Sequence, residues 1–176
     1  MTHPSVTVSI VIPCYNHGQY IQEALDSIDI QKINYDIEII IVDDGSTDPN
    51  TLQKLDDLKK LNYTVIHQTN GGPGKARNTG IETAIGKYIL PLDADNKLST
   101  DYINKAVPIL EKNRADIVIY NREGMPSVIV ECKAPNVKIT QDAFNLIAKY
   151  NYKSRVKYLV VTNGLQHFCC EMDYEN

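Results

Sequence analysis

Two stretches, residues 6–13 (VTVSIVIP) and 38–43 (EIIIVD), are unbroken runs of β-branched and apolar residues. A sheet with one wet face would alternate apolar with polar, so such runs read as strands buried on both faces, the mark of a parallel sheet. Parallel neighbours cannot be joined by a hairpin and need a crossover, usually a helix. The intervening residues supply it. Residues 20–30 (YIQEALDSIDI) carry apolar side chains at helical spacing, and 50–61 (NTLQKLDDLKKL) read as an amphipathic helix. Residues 63–67 predict a short third strand, 70–74 (NGGPG) a loop, 76–85 a helix, 88–92 a fourth strand and 101–112 a further helix. Strand and helix alternating over short loops predict an α/β fold, a parallel sheet with helices on both faces.

After Lys112 the texture changes. Residues 115–121 (ADIVIYN) and 127–133 (SVIVECK) read as strands of a hairpin joined through Arg122, Glu123, Gly124, Met125 and Pro126. Residues 140–150 (TQDAFNLIAKY) predict a helix with Thr140 as N-cap and Asp142 in its first turn. Residues 156–162 form another strand, and Asn163-Gly164 is a hairpin signal leading into 167–172. The expected division is therefore 1–112 and 113–176. The strand that starts at Asp116 is placed to extend the first sheet.

Composition narrows the class. In 176 residues, 43% hydrophobic and 23% charged, apolar residues are too plentiful for disorder, and no fixed period repeats. From the N-terminal residues no signal peptide is expected. The longest apolar stretches fall far short of the roughly 20 residues needed to span a bilayer. The expectation is a cytoplasmic chain, at most peripheral to a membrane. The net charge is −4, with ten basic against fifteen acidic residues through Lys112 and eight against seven after it. Neither part carries the basic excess of a strong nonspecific nucleic-acid binder. Cys14, Cys132, Cys169 and Cys170 show no metal-binding spacing and are expected as small buried hydrophobes in a reducing compartment.

In parallel α/β sheets, ligands bind beyond the carboxyl ends of the strands. Polar residues gather there: Tyr15 and Asn16 after the first strand, Asp43 and Asp44 after the second, Asp93 and Asp95 after the fourth. The segments VSIVIPCYN, EIIIVDDGSTD, NGGPGKARNTGIETAIGKYI and LDADN, in this order, resemble the family 2 glycosyltransferases of GT-A (Rossmann-like) fold over about residues 5–112. The resemblance implies a nucleotide-sugar donor, UDP-linked, and inverting transfer to a hydroxyl of a saccharide or lipid-linked acceptor. It gives Asp95 the divalent metal, Mg²⁺ or Mn²⁺, and so the catalytic assignment, with Asp93 assisting metal or ribose binding. It gives Asp44 the ring N–H of the base and Tyr15 the base's face, beside Pro13 and Asn16. Lys75 and Arg77 flank the Gly-rich loop, and Arg77 is the better family match for the nucleotide. Two carboxylates beside a diphosphate are chemically reasonable only with a cation between them. Asp48 and Asn96 are expected to be structural. No base for the acceptor is assigned: Glu171-Met172-Asp173-Tyr174 matches the family's Glu-Asp-aromatic pattern only loosely.

From about Arg114 to the C-terminus the sequence resembles the N-terminal nuclease domain of type I restriction enzyme motor subunits, a PD-(D/E)xK-like αβ fragment. Asp116 and Glu131-Cys132-Lys133 carry the resemblance. Alternation puts Glu131 and Lys133 on one face of a strand, and the resemblance implies that Asp116 and Glu131 share a Mg²⁺ with Lys133 near the attacking water. Leu146 departs from the pattern, which has Gln four residues before the tyrosine (here Tyr150). A plain alternative is an ion pair between Glu131 and Lys133 on an edge strand. The chain thus reads as a composite whose main function is glycosyl transfer. The alternatives are a Mg²⁺-dependent DNA endonuclease, in which case nucleic acid is a partner, or a catalytically inactive composite protein.

Overall fold

The computed structural model describes residues 6–113, 116–121 and 125–174. It divides into two compact units, residues 1–101 and 102–176. The helix expected to close the first part begins the second unit instead.

The first unit contains β1 (Val8–Cys14), α1 (Gly18–Asp26), β2 (Ile37–Asp43), α2 (Pro49–Lys60), β3 (Thr64–His67), α3 (Pro73–Thr83) and β4 (Tyr88–Pro91). The sheet order is β3-β2-β1-β4 and every pairing is parallel. The two apolar runs are its central strands. Val11 and Ile40 share one face by register, and α3 covers it, with Ala76 packed among Ile40, Val42 and Ile66. Ile10, Ile12 and Ile41 on the other face are fully enclosed too. Burial on both faces is what the continuous runs required.

Local chemistry sets the helix ends. Asp48 caps α2, its Oδ2 accepting from the Thr51 amide at 2.8 Å and the Thr51 hydroxyl at 2.7 Å. α1 stops at Asp26 rather than running on to Ile30. The Ser27 hydroxyl donates to the Ala24 carbonyl at 2.6 Å and accepts from the Leu98 amide at 2.9 Å, and a single 3₁₀ turn, Ile30–Lys32, follows. α3 starts early, at Pro73, because Gly72 before it holds φ of 85° and proline is well placed in a first helical turn.

The second unit contains α4 (Tyr102–Asn113), β5 (Ile117–Tyr120), β6 (Pro126–Cys132), α5 (Gln141–Ser154), β7 (Tyr158–Thr162) and β8 (His167–Glu171). Its sheet order is β5-β6-β7-β8, with β6 and β7 parallel and the outer pairings antiparallel. β5 therefore does not extend the first sheet: its hydrogen bonds go to β6. The expected turn residues Arg122, Glu123 and Gly124, like Arg114 and Ala115 at the expected join, lie outside the described residues. Asn163-Gly164 does turn β7 into β8, with Asn163 Oδ1 accepting from the amides of Leu165 and Gln166 at 3.0 and 2.7 Å. Thr140 stands at the N-cap of α5, but its side chain makes no capping bond.

Of the cysteines expected to be buried, only Cys14 is. Cys132, Cys169 and Cys170 are exposed, the last two because β8 is an edge strand exposed along its whole length. Among the described residues no helix is long and apolar enough to cross a membrane.

Candidate nucleotide-binding site

The chain steps outward from β1 to β2 and β3, then returns to the far side of β1 for β4. Where strand order reverses, loops diverge and leave a crevice beyond the carboxyl ends. Register sets Cys14, Asp43 and His67 level with one another, and Asp93 follows two residues after the end of β4.

Asp43 and Asp44 divide the work at the end of β2. Asp43, 2% exposed, shapes the loop: its Oδ1 accepts from the Ser46 amide at 3.0 Å, and its Oδ2 meets His67 Nδ1 at 3.0 Å. Asp44, 3% exposed, points to the Gly-rich loop. Its Oδ1 accepts from Gln68 Nε2 at 2.7 Å and the Gly71 amide at 2.9 Å, and its Oδ2 accepts from the Gly72 amide at 2.8 Å. Burial by itself would push this carboxyl up. The Gly71 amide, the Gln68 carboxamide and the Gly72 amide outweigh it, with the Lys75 charge adding, and the group lies below the usual carboxylate range. Asp44 is therefore an anion at neutral pH.

Asn16 takes a left-handed φ of 54° and spends its side chain on the neighbouring loop. Its Oδ1 accepts from the amides of Thr47 and Asp48 at 2.8 and 2.9 Å, while its own backbone N–H donates to Ser46 Oγ at 3.0 Å. Asn16 thus ties the end of β1 to the β2–α2 loop and leaves Tyr15 beside it 45% exposed. Pro13 is half-buried within β1.

Across the reversal, Arg77 reaches from α3 to Asp93, Nη2 to Oδ1 at 2.6 Å, both side chains part-exposed. Ala94 turns inward, 1% exposed, so Asp93 and Asp95 flank a buried residue. Asp95 is exposed, and among the described residues its carboxylate has no partner. The Asn96 amide donates to the Asp93 carbonyl at 2.9 Å and closes the turn. Lys75 lays its stem across Gly71, where an added Cβ would stand 2.2 Å from Lys75 Cδ.

Sequence spacing did not point to Gln68 and Thr79. Thr79 Oγ1 donates to Gln68 Oε1 at 2.6 Å, which turns the Gln68 amide nitrogen toward Asp44. Extending the rule of carboxyl-terminal strand ends to β3 would have found Gln68.

In the second unit, Lys133 Nζ contacts Glu131 Oε1, and Asp116 Oδ2 accepts from the Cys132 amide at 2.7 Å. Of the three residues singled out there, the Glu131 and Lys133 side chains meet, and Asp116 reaches the backbone between them. β6 is an interior strand, so the ion pair is not on an edge. Among the described residues no group of three or more His, Cys, Asp or Glu is arranged to hold a metal ion.

Residues 9–170 match the family model described as Glycosyl transferase family 2, a span that runs through most of the second unit. The chain is 42% identical over 112 residues to an uncharacterized glycosyltransferase, EpsJ, of Bacillus subtilis, covering 63% of this chain and 32% of that protein. It is 31% identical over 140 residues to the poly(ribitol-phosphate) beta-N-acetylglucosaminyltransferase TarS of Staphylococcus aureus, covering 74% and 24%. It therefore spans about a third or less of the length of these relatives. The crystal structure of S. aureus TarS 1–349 in complex with UDP-GlcNAc superposes with a TM-score of 0.54 at 31% identity, over 76% of this chain and 36% of that one. The mannosyltransferase PcManGT of Pyrobaculum calidifontis, in complex with GDP-Man and Mn²⁺, gives 0.52 at 25% identity, over 83% and 40%. With the carboxylates gathered at the strand-order reversal of a GT-A sheet and the family model matching nearly the whole chain, this protein belongs to the family 2 glycosyltransferases.

Proposed function

We propose that the chain binds a UDP-linked sugar together with Mg²⁺ or Mn²⁺ and serves inverting transfer of that sugar to a hydroxyl of a saccharide or lipid-linked acceptor. The observation that carries this reading is the convergence of Asp44, the Arg77–Asp93 pair and the exposed Asp95 on the carboxyl ends of β2 and β4. Tyr15, exposed beyond β1, offers a ring for the base to stack on, and Pro13, half-buried near the end of that strand, is the second apolar group proposed at the base. A carboxylate has about four acceptor positions, and the loop uses three of those on Asp44, leaving one on Oδ2 for a ring N–H. Arg77 faces the diphosphate, and Asn16 keeps the loop behind Tyr15 in place.

The residues fit a divalent cation of the hard, oxygen-preferring kind. Among the described residues Asp95 has no partner, and Asp93 commits one oxygen to Arg77. Two carboxylates, with the remaining positions filled by diphosphate oxygens and water, is a common arrangement for Mg²⁺. Such an ion, once bound, stabilises the negative charge of the diphosphate leaving group. The relative crystallised with UDP-GlcNAc supports uracil as the base.

Calorimetric titration of the chain with UDP, with and without Mn²⁺, tests this. Micromolar, metal-dependent binding, about −8 kcal/mol, is expected, and Asp95→Ala should remove the metal dependence. Absence of binding to UDP, GDP and dTDP alike overturns it.

A second reading concerns the second unit. The Asp116 carboxylate sits on the backbone between Glu131 and Lys133, which supports Mg²⁺-dependent cleavage of DNA. Plasmid nicking that disappears with Lys133→Ala would establish it. Silence in both assays would favour a catalytically inactive composite.

A further inference from the structure

Asp44 can read a base only if its carboxylate is held still. Two of its three donors, the amides of Gly71 and Gly72, belong to a glycine-rich loop. The third is the side chain of Gln68, and that side chain is itself fixed. Gln68 follows the last residue of β3, so its backbone is anchored in the sheet, where its amide donates to the Asp43 carbonyl at 2.9 Å. Its Oε1 accepts from the Thr79 hydroxyl of α3 at 2.6 Å. With that end of the carboxamide occupied, Nε2 faces Asp44 Oδ1 at 2.7 Å. A Thr79–Gln68–Asp44 chain of hydrogen bonds thus runs from a helix, through a strand end, to the carboxylate.

We propose that Gln68, oriented by Thr79, is a positioning residue for nucleotide recognition: it fixes the rotation of the Asp44 carboxylate and so aims the remaining acceptor site at the ring N–H of the base. The inference rests on the proposed role of Asp44 at the base. A hydrogen bond to a charged acceptor is among the stronger ones, and removing its donor lets the acceptor swing. The loss appears in affinity for the base, and specifically in the value of the base's own N–H. A purely structural tie between β3 and α3 would instead appear in melting temperature and leave base discrimination alone.

The test compares UDP with its 3-methyl-uridine counterpart, which lacks the ring N–H, by calorimetric titration of the full chain in Mn²⁺. The wild type should prefer UDP. Gln68→Met, which keeps the length and loses the donor, should cut that preference about tenfold. Thr79→Val should cut it in the same direction, and Thr79→Ser, which keeps the hydroxyl, should restore it. Melting curves confirm that each variant is folded. If the wild type binds UDP without preference, or fails to bind it, the role of Asp44 falls and this inference with it. If the wild type discriminates and both Gln68→Met and Thr79→Val discriminate equally well, the positioning role alone is overturned.

Discussion

The Arg77 guanidinium and the Asp93 carboxylate meet at 2.6 Å across the sheet's reversal point, one from α3 and the other from the turn after β4. Each neutralises the other in a site proposed to take an anionic diphosphate and a cation. Because both side chains keep more than a third of their surface in water, solvent screens the pair and it adds little to folding. Arg77→Ala should therefore leave the melting temperature nearly unchanged while weakening UDP binding in Mn²⁺ about tenfold, the loss of one charge-assisted contact. Parallel melting curves and titrations check this. A large drop in melting temperature would show that the pair is structural.

The contact between α3 and β1 should be intolerant of a single methyl group. A Cβ on Gly80 would lie 2.3 Å from Val11 Cγ1, and Val11 is fully buried with a stiff χ1. Overpacking of this kind costs about 1–3 kcal/mol, so Gly80→Ala should lower the urea midpoint by that equivalent. Combining it with Val11→Ala should recover part of the loss, because the second change removes the clashing methyl.

The lowered pKa of Asp44 has a definite sign. The ionised carboxylate is favoured in the folded chain by its three donors, so its stabilisation is complete above the unfolded value of about 3.9. It fades as pH falls through the lower folded value. Asp44→Asn should destabilise the chain at pH 7, where the new amide would face N–H donors, and the difference should shrink below about pH 4. Melting temperature against pH for the two proteins measures it, and a constant gap down to pH 2 would contradict it.

Thiol chemistry should separate the cysteines. Burial, the leading cause, and the nearby Asp43 push the Cys14 thiol up to about 11, against the effect of the His17 amide. Cys169 and Cys170 are exposed on β8. A short iodoacetamide pulse at neutral pH, followed by peptide mass mapping, should label Cys169 and Cys170 and spare Cys14 until the chain is denatured. Labelling of native Cys14 would mean that β1 is less enclosed than its burial indicates.

The elements themselves were largely legible in the amino-acid order. Runs such as VSIVIP and EIIIVD, short and rich in β-branched residues, read as strands buried on both faces, and the crossovers that a parallel arrangement demands were visible as helical periodicity. The carboxylates at strand ends followed from the same rule, since a residue just past a buried strand must emerge at the sheet's edge. What spacing could not show was which polar atoms meet. Asp43 and Asp44 are adjacent and chemically identical, yet the first holds Ser46 and His67 and the second holds the Gly-rich loop. Asn16 became a strut and Gln68 a neighbour of Asp44 because loops from distant parts of the chain converge there. The unit boundary moved to 101/102 because α4 packs with α5 and β5, a choice made by contacts between faces. Periodicity along one chain fixes which residues must be buried. Only the packing of several segments decides which buried donors find which acceptors.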